Sequence, residues 1–275
     1  MKQFITEAEP DCNGVLILTG KAFAYLRKVR RIREGDSIAV LLPGDRPAVM
    51  IVGLIDDNKR EITLYLQAQS PAENIGIHST SVSISQGTPR AGSYTEIVLL
   101  QWVLKGSKTD IVVRQAAEAG VHIIIPVIGE FSVARRQNPA QLERYRRIIK
   151  EARQQSGSQV DTSITEPSSL TVLMQQTVIP LLNSDTVCGM CSEAAGTSLS
   201  VHTFLAGKPS RIILAIGAEG GISPAETAIL TAAGFKVIHF NTNVLRAETA
   251  ALYAVAAMQT IINEADQWQL PASIS

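Results

Sequence analysis

The densest pattern of apolar and polar positions is RIILAIGAEGGISPAETAILTAAGFKVIHFNTNVLRAETA, residues 211–250. The almost wholly apolar run Arg211–Ile216 predicts a central strand buried on both faces of a parallel sheet. Glycines follow at once, and Ser223-Pro224-Ala225-Glu226 predicts a capping box on a helix with proline in its first turn. Lys236–Phe240 predicts the next strand, and a loop then opens another helix. Because open α/β sheets bind ligands at the carboxyl ends of their strands, we interpret the glycines as a ligand-binding loop.

The glycine spacing, Gly217-x-x-Gly220-Gly221, excludes two common nucleotide-binding motifs. It is not G-x-G-x-x-G, and no Walker lysine follows it. An ordinary turn in which the glycines serve only the bend is the alternative that stays open at this point.

The rest of the chain changes its pattern near residue 94. Short strand candidates in the first part predict a small β-barrel, at residues 15–18, 37–42, 48–55 and 62–67. An extra strand is predicted at 78–86 and a linker at 89–93. From Thr95 onward, strands alternate with helices, which predicts an α/β domain with a mainly parallel sheet. Its predicted strands are 97–104, 123–128, 178–182 and 187–191, and its predicted helices are 108–119 and 140–155.

Composition adds limits on the class of protein. The 275 residues suit one large or two moderate domains, and no apolar stretch suggests export or a membrane, so we expect a cytoplasmic protein. Cys12, Cys188 and Cys191 form no even framework and no zinc pattern, and the four histidines are scattered. We therefore expect no metal and no nucleophilic site.

Net charge is zero, with 25 basic and 25 acidic side chains, but the basic residues are unevenly distributed. Six fall between residues 21 and 33, and seven fall between 135 and 153. Arg27, Arg30 and Arg31 share one face if their segment is helical. Such clusters are typical of surfaces that bind RNA phosphates, and a solvated charged face is the alternative.

Four collinear blocks resemble the RsmE family of ribosomal RNA methyltransferases, which belongs to the SPOUT superfamily of knotted enzymes. IGAEGG with SPAE, followed by VLRAETAAL, is similar to the family's I-G-P-E-G-G and L-R-T-E-T-A signature. The other blocks are YLRKVRRIREGDSIAV (25–40), LLQWVLKGSKTDIVVRQAAEAGVHIIIPV (99–127) and RYRRIIKEARQQSGS (144–158).

The chain also departs from the family pattern. Family arginines are replaced at Phe131, Ser158 and Asn243, and a family proline is replaced at Ala218. Gln115 takes the place of a lysine and Tyr25 that of a histidine. The residues expected to bind the cofactor are thus retained, whereas several residues expected to contact the substrate differ.

The resemblance implies a PUA-like β-barrel for RNA binding at 1–90, a SPOUT methyltransferase domain at 94–263 with a trefoil knot at about 211–262, and a tail at 264–275. It implies transfer of a methyl group from S-adenosylmethionine to N3 of a uridine in 16S ribosomal RNA. Two alternatives stay open. One is a non-catalytic RNA-binding paralog in ribosome assembly, and the other is a methyltransferase acting on another RNA.

Site residues follow from the matching positions. The cofactor would be held by Ile216, Gly217, Glu219, Gly220, Gly221, Phe240, Asn243, Val244, Leu245 and Thr249. Arg246 is the candidate for stabilising charge on the uridine, with a salt bridge to Glu248 or Glu219 as its alternative role. Glu219 would orient the loop or Arg246. RNA contacts are predicted at Arg27, Arg30, Arg31, Lys105, Lys108, Arg135 and Arg136.

The last helix carries an apolar stripe, formed by Ala251, Val255, Met258 and Ile262. Because SPOUT enzymes pair through this helix, the resemblance implies a homodimer with its sites beside the interface. A helix packed only in its own core is the alternative.

Overall fold

The computed structural model describes residues 3–44, 46–67, 95–132, 139–193 and 199–264. The chain divides into two compact units, Met1–Ser93 and Tyr94–Ser275, and each is described here by itself. The strand predicted at 78–86, the linker at 89–93 and the tail beyond Glu264 lie outside the described residues. None of the helices in the described ranges is long and apolar enough to cross a membrane.

The first unit is built on one mixed sheet of five strands, in the order β1-β3-β4-β5-β2. Its core comes from alternating positions: Val40, Met50 and Leu64, for example, are almost completely buried in one cluster with Leu26. The period of two along each strand produces this one-sided burial. The strands are β1 (Phe4–Ile5), β2 (Val15–Leu18), β3 (Ser37–Leu42), β4 (Arg46–Asp56) and β5 (Glu61–Leu66).

One short helix, α1 (Gly20–Ala24), follows β2 and continues as a wider π turn over Tyr25–Val29. The helical conformation ends there, because Arg31 has a φ of +54°. Arg27, Arg30 and Arg31 therefore do not share one continuous α-helical face, and that sequence expectation is wrong.

The second unit is an α/β fold around a parallel sheet, in the order β12-β10-β11-β6-β7-β8, with β9 also paired to β7. The predicted central strand, β11, lies between β10 and β6, and Ile212–Ile216 are buried. The strands are β6 (Glu96–Trp102), β7 (Ile123–Ile128), β8 (Ser163–Ile164), β9 (Ser168–Ser169), β10 (Thr186–Cys191), β11 (Arg211–Ile216) and β12 (Lys236–Ile238).

Helices cover this sheet. They are α2 (Lys108–Glu118), α3 (Pro139–Ser156), α4 (Leu170–Leu173), α5 (Ile179–Leu181), α6 (Val201–Phe204), α7 (Pro224–Ala232) and α8 (Ala247–Glu264). In α8, Ala251, Val255 and Met258 are buried in the unit's own core, and Ile262 packs against it. The predicted stripe thus faces the chain itself, which is the alternative that the sequence left open.

The strand predicted at residues 178–182 is wrong, because this segment is helical. A π turn over Met174–Val178 joins α4 to α5, and Pro180 lies in the first turn of α5. Leu170, Leu173, Met174 and Val178 are buried while Ile179 is 52% exposed, which is a helical period and not an alternation. Pro180 was the available signal, since proline cannot donate to a central ladder.

Candidate functional site

A cavity of about 660 Å³ opens where β10, β11 and β12 reach their carboxyl ends. Pockets for small organic ligands typically measure about 300–1,000 Å³. Eight of the ten predicted cofactor residues line it: Ile216, Gly217, Glu219, Gly221, Phe240, Asn243, Val244 and Leu245. Gly220 and Thr249 are not in its wall. The parallel sheet brings the ends of non-consecutive strands to one edge, so segments distant in sequence form one pocket.

The glycine loop after β11 folds back on itself. The Gly221 amide donates to the Ala218 carbonyl over 2.9 Å, and Gly221 has a φ of +78°. A Cβ on Gly217 would lie 2.8 Å from the carbonyl carbon of Gly221. These two positions therefore require glycine for the turn itself.

Gly220 is the glycine of this loop that does not lie in the cavity wall. A Cβ at this position would lie 3.2 Å from the Cβ of Phe131. Its missing side chain thus makes room for Phe131, which follows β7, and not for a ligand in the cavity.

The predicted capping box at the start of α7 is confirmed. The Glu226 amide donates to Ser223 Oγ over 3.2 Å, and the Ser223 amide donates to Glu226 Oε2 over 3.0 Å. The other carboxylate oxygen, Glu226 Oε1, accepts a hydrogen bond from the Glu130 amide over 3.0 Å. One buried side chain therefore fixes both the start of α7 and the turn after β7.

Lys108 lies in the cavity wall and joins three segments. Its Nζ is 3.0 Å from Glu219 Oε1 and 3.8 Å from Glu248 Oε2. The Lys105 amide also donates to Glu219 Oε1, over 3.4 Å. The glycine loop is thus held to the start of α2 and to the first turn of α8. The sequence suggested Arg246 as the possible partner of these carboxylates and Lys108 as an RNA contact, but Lys108 is the cation that binds both.

The pKa of Glu219 lies below its ordinary value of 4.5. Burial acts to raise this pKa, but it is outweighed by the hydrogen bond from Lys108, the backbone amides of Glu219 and Lys105, and the positive charge of Lys108. Glu219 is therefore an ionised carboxylate at neutral pH, which suits an anchor for the loop better than a proton acceptor.

Arg246 is an exposed residue in the cavity wall, immediately before α8. Its carbonyl accepts hydrogen bonds from the Thr249 and Ala250 amides over 2.9 and 2.8 Å. Within the described ranges, no ion pair joins its guanidinium to a carboxylate. The Arg246 guanidinium thus places a solvent-exposed positive charge at the cavity.

His239 and Cys191 also line the cavity, and both have structural surroundings. His239 Nδ1 lies 3.1 Å from the Ser192 carbonyl, which links the ends of β12 and β10 when Nδ1 carries the proton. Burial raises the pKa of the Cys191 thiol to about 12 and that of Cys188 to about 11. Neither thiol is a nucleophile at neutral pH. No cluster of His, Cys, Asp and Glu in the described parts of the chain could hold a metal ion.

The predicted RNA contacts are dispersed. Arg27 donates two hydrogen bonds to Asp57, at 3.0 and 2.8 Å. Arg31 and Lys105 are exposed, and Arg30 is partly buried. Arg135 and Arg136 fall outside the described residues. In the second cluster, Arg144, Arg146 and Arg153 pair with Asp110, Glu143 and Asp161, so part of that cluster serves intramolecular ion pairs.

The sequence of the second unit has a recognisable family. A model of the RNA methyltransferase domain matches residues 92–259. The class of protein that fold and site define is thus an RNA methyltransferase.

Relatives along the whole chain narrow this class. The ribosomal RNA small subunit methyltransferase E of Aquifex aeolicus is 30% identical over 256 residues, covering 91% of this chain and 96% of the relative. The ribosomal RNA small subunit methyltransferase E 2 of Borreliella burgdorferi is 26% identical over 270 residues, with 96% and 99% covered. The chain therefore belongs to the ribosomal RNA small subunit methyltransferase E family.

A solved structure shares the fold. The ribosomal RNA small subunit methyltransferase E of Neisseria gonorrhoeae, which is bound to S-adenosyl methionine, superposes with a TM-score of 0.76. The two are 22% identical, with 95% of this chain and 98% of that chain covered.

Replacing Lys108 by Met should destabilise the protein in a pH-dependent way. The folded-state pKa of Glu219 is lowered, so its stabilisation is fully present above the ordinary value of 4.5 and is lost as pH falls through the folded-state pKa. Both side chains are partly exposed, so we expect a loss of no more than about 1 kcal/mol at pH 7. Urea midpoints measured from pH 7 into acid should show the gap to wild type narrowing below 4.5.

Lys105→Met is the matched control. Lys105 reaches Glu219 through its backbone amide, so this variant should keep the wild-type profile. A gap for Lys108→Met that stays constant into acid would contradict the assignment.

Proposed function

We propose that this chain transfers a methyl group from S-adenosylmethionine to N3 of a uridine in small-subunit ribosomal RNA, in the cytoplasm. The observation that carries the proposal is the cavity at the carboxyl edge of the parallel sheet, walled by the glycine loop and by the segment before α8. Family membership supports the RNA substrate, and the names of the relatives support the small subunit.

The residues present fit S-adenosylmethionine. The cavity has the volume of a small-molecule site, and its wall mixes apolar side chains such as Ile216 and Leu245 with glycine backbone. Gly217 and Gly221 permit the tight turn of the loop, and both lie in the cavity wall, where a ligand can meet their backbone. Ile216–Gly221 would hold one side of the cofactor, and Phe240 with Asn243–Leu245 would hold the other. When bound, this cofactor supplies a methyl group that its sulfonium already activates.

Arg246 is the catalytic candidate. Uridine N3 must lose its proton, which leaves negative charge on the ring oxygens. An exposed guanidinium in the cavity wall can stabilise that charge as it develops. Glu219 contributes by holding the glycine loop through Lys108, so Lys108 acts as a positioning residue in this proposal.

The finer architecture belongs to the same proposal. Residues 1–90 form a PUA-like barrel that binds RNA, with Arg31 among its contacts. Residues 94–263 form a SPOUT domain in which about 211–262 is threaded as a trefoil knot. The support for both is the family to which the chain belongs, whose fold the resemblance implies.

The homodimer is also proposed, but through a different surface from the predicted stripe. Leu252 and Tyr253 on α8 are 36% and 43% exposed, and Val244 is 74% exposed. Tyr253 contacts Phe240 edge to face, with ring centroids 5.2 Å apart. A partner that covers Tyr253 would lie next to Phe240, which lines the cavity, and would bury apolar surface that the chain leaves in water.

The first prediction tests the reaction. A strain that lacks this gene should lose 3-methyluridine from its small-subunit ribosomal RNA, and the wild-type gene should restore it. Nucleoside analysis by mass spectrometry measures both. If the purified protein binds this RNA but methylates no ribosomal particle, the non-catalytic RNA-binding alternative is correct. If the protein methylates another RNA and the deletion leaves 3-methyluridine in the small-subunit RNA unchanged, the alternative of a methyltransferase acting on another RNA is correct.

The second prediction tests the cofactor loop. Gly217→Ala places a Cβ against the backbone of Gly221, so the loop must shift. Affinity for S-adenosylmethionine should fall by about tenfold or more, equivalent to about 1.4 kcal/mol of binding energy. Isothermal titration calorimetry measures this affinity.

Gly207→Ala is the matched control for that loop, because a Cβ there would meet nothing within 4 Å. Its affinity should equal that of the wild type. Equal affinity in a folded Gly217→Ala protein would refute the assignment of the loop.

The third prediction concerns Arg246. Arg246→Ala should slow single-turnover methylation of small ribosomal subunits by about 10²–10³, because one electrostatic contact in the transition state is lost. Affinity for S-adenosylmethionine should change little. Arg114→Ala, at another exposed arginine of the same unit, should leave the rate intact. A normal rate for Arg246→Ala would show that the catalytic assignment is wrong.

A further inference from the structure

The turn after β7 presents a large aromatic side chain to solvent. Phe131 is 46% exposed, although Gly129 and Ser132 in the same turn are buried. An exposed phenylalanine is common on protein surfaces and has no meaning alone. Two further features, the rigidity of the turn and its neighbours, distinguish this one.

Hydrogen bonds hold the turn on both sides of Phe131. The Ser132 amide donates to the Gly129 carbonyl and the Gly129 amide to Ser132 Oγ, both over 3.0 Å. The Glu130 amide is bound by the buried Glu226 carboxylate over 3.0 Å. Gly129 lies directly on Trp102, where a Cβ would come within 2.2 Å of the indole. The backbone that carries the ring is therefore fixed before any ligand arrives.

The ring stands against the glycine loop but outside the cofactor cavity. Its Cβ and ring atoms lie 3.2–3.4 Å from the position that a Gly220 Cβ would take. Glu219 and Gly221, on either side of Gly220, line the cavity, whereas Gly220 and Phe131 do not. Phe131 thus lies next to the one residue of Glu219–Gly221 that is outside the cavity wall.

We propose that Phe131 is a substrate-binding residue on which an unstacked base of the RNA strand stacks beside the glycine loop. This inference rests on the proposed function. Single-stranded RNA is commonly recognised by stacking of splayed bases on aromatic rings, and a fixed ring loses little entropy on binding. A positive charge is also available nearby. The exposed Lys105 follows β6, which is the neighbour of β7 in the sheet, and it can bind phosphates of the same RNA.

A contact of RNA with Phe131 would differ from an ionic contact, because this side chain presents an aromatic ring and no charge. Its contribution to RNA binding should depend on the ring and be insensitive to salt, in contrast to a phosphate contact.

The test compares Phe131→Leu, which keeps an apolar side chain against Gly220 but removes the ring, with Phe131→Tyr, which keeps the ring. The substrate is the small ribosomal subunit from the deletion strain. Phe131→Leu should raise the KM for this particle about tenfold at both low and high salt. Phe131→Tyr should stay near the wild type, and neither should change the KM for S-adenosylmethionine. Ile179→Ala, at another exposed apolar residue of the unit, is the control for general surface effects.

A second measurement does not depend on methylation. A single-stranded oligouridylate containing 5-iodouridine, irradiated with the protein, should cross-link to Phe131 in the wild type, and the Phe131→Leu variant should lose that cross-link. If the wild type methylates the particle and Phe131→Leu has a normal KM and cross-link, the stacking proposal is wrong and the proposed function stands. If the wild type methylates nothing but cross-links at Phe131, the proposed function fails and the stacking stands. A KM for S-adenosylmethionine that rises as much as that for the particle would mean that Phe131 only supports the loop, which also overturns the proposal.

Discussion

The backbone of Gly221 approaches Gly217 so closely that no Cβ fits on Gly217, and Gly221 itself has a positive φ; the rest of the site depends on this turn. A buried strand delivers it to the sheet edge, where its amides and carbonyls can face a ligand. A tight turn of this kind has little stability of its own. Lys108 therefore holds it from the side of α2 through Glu219, and the capping box fixes the start of α7 immediately after it. The glycines only permit the shape of this turn, and the Lys108–Glu219 ion pair and the capping box hold the turn in that shape.

Local signals made part of this architecture predictable. The capping box at Ser223 and Glu226 is read from four consecutive residues, and the buried strand before it from six. The segment at 178–182 was assigned wrongly because a short apolar run fits both periods, and only Pro180 indicated a helix. The stripe on α8 was read correctly as apolar, but sequence alone cannot tell a chain's own core from a partner.

Contacts between distant residues set the limit for the site. Lys108 and Glu219 are 111 positions apart, so nothing in the local sequence indicated that this lysine binds the carboxylate. Likewise, the sequence suggests the same ligand-binding role for all three glycines of the loop. Gly220, however, lies against Phe131, which is far upstream in sequence. The parallel sheet explains both contacts, Lys108 with Glu219 and Phe131 with Gly220. It brings the ends of β6, β7 and β11 side by side in an order that differs from their order in the chain.

The shared carboxylate of Glu226 has a consequence for the protein surface. Glu226, Gly129 and Ser132 supply hydrogen bonds that hold the backbone of the turn after β7 on both sides of residue 131. None of these hydrogen bonds involves the side chain of residue 131, so a substitution there leaves them in place. The turn thus separates the groups that hold its backbone from the side chain that it presents to solvent, and the surface beside the glycine loop can change in size and polarity while the turn keeps its supporting bonds.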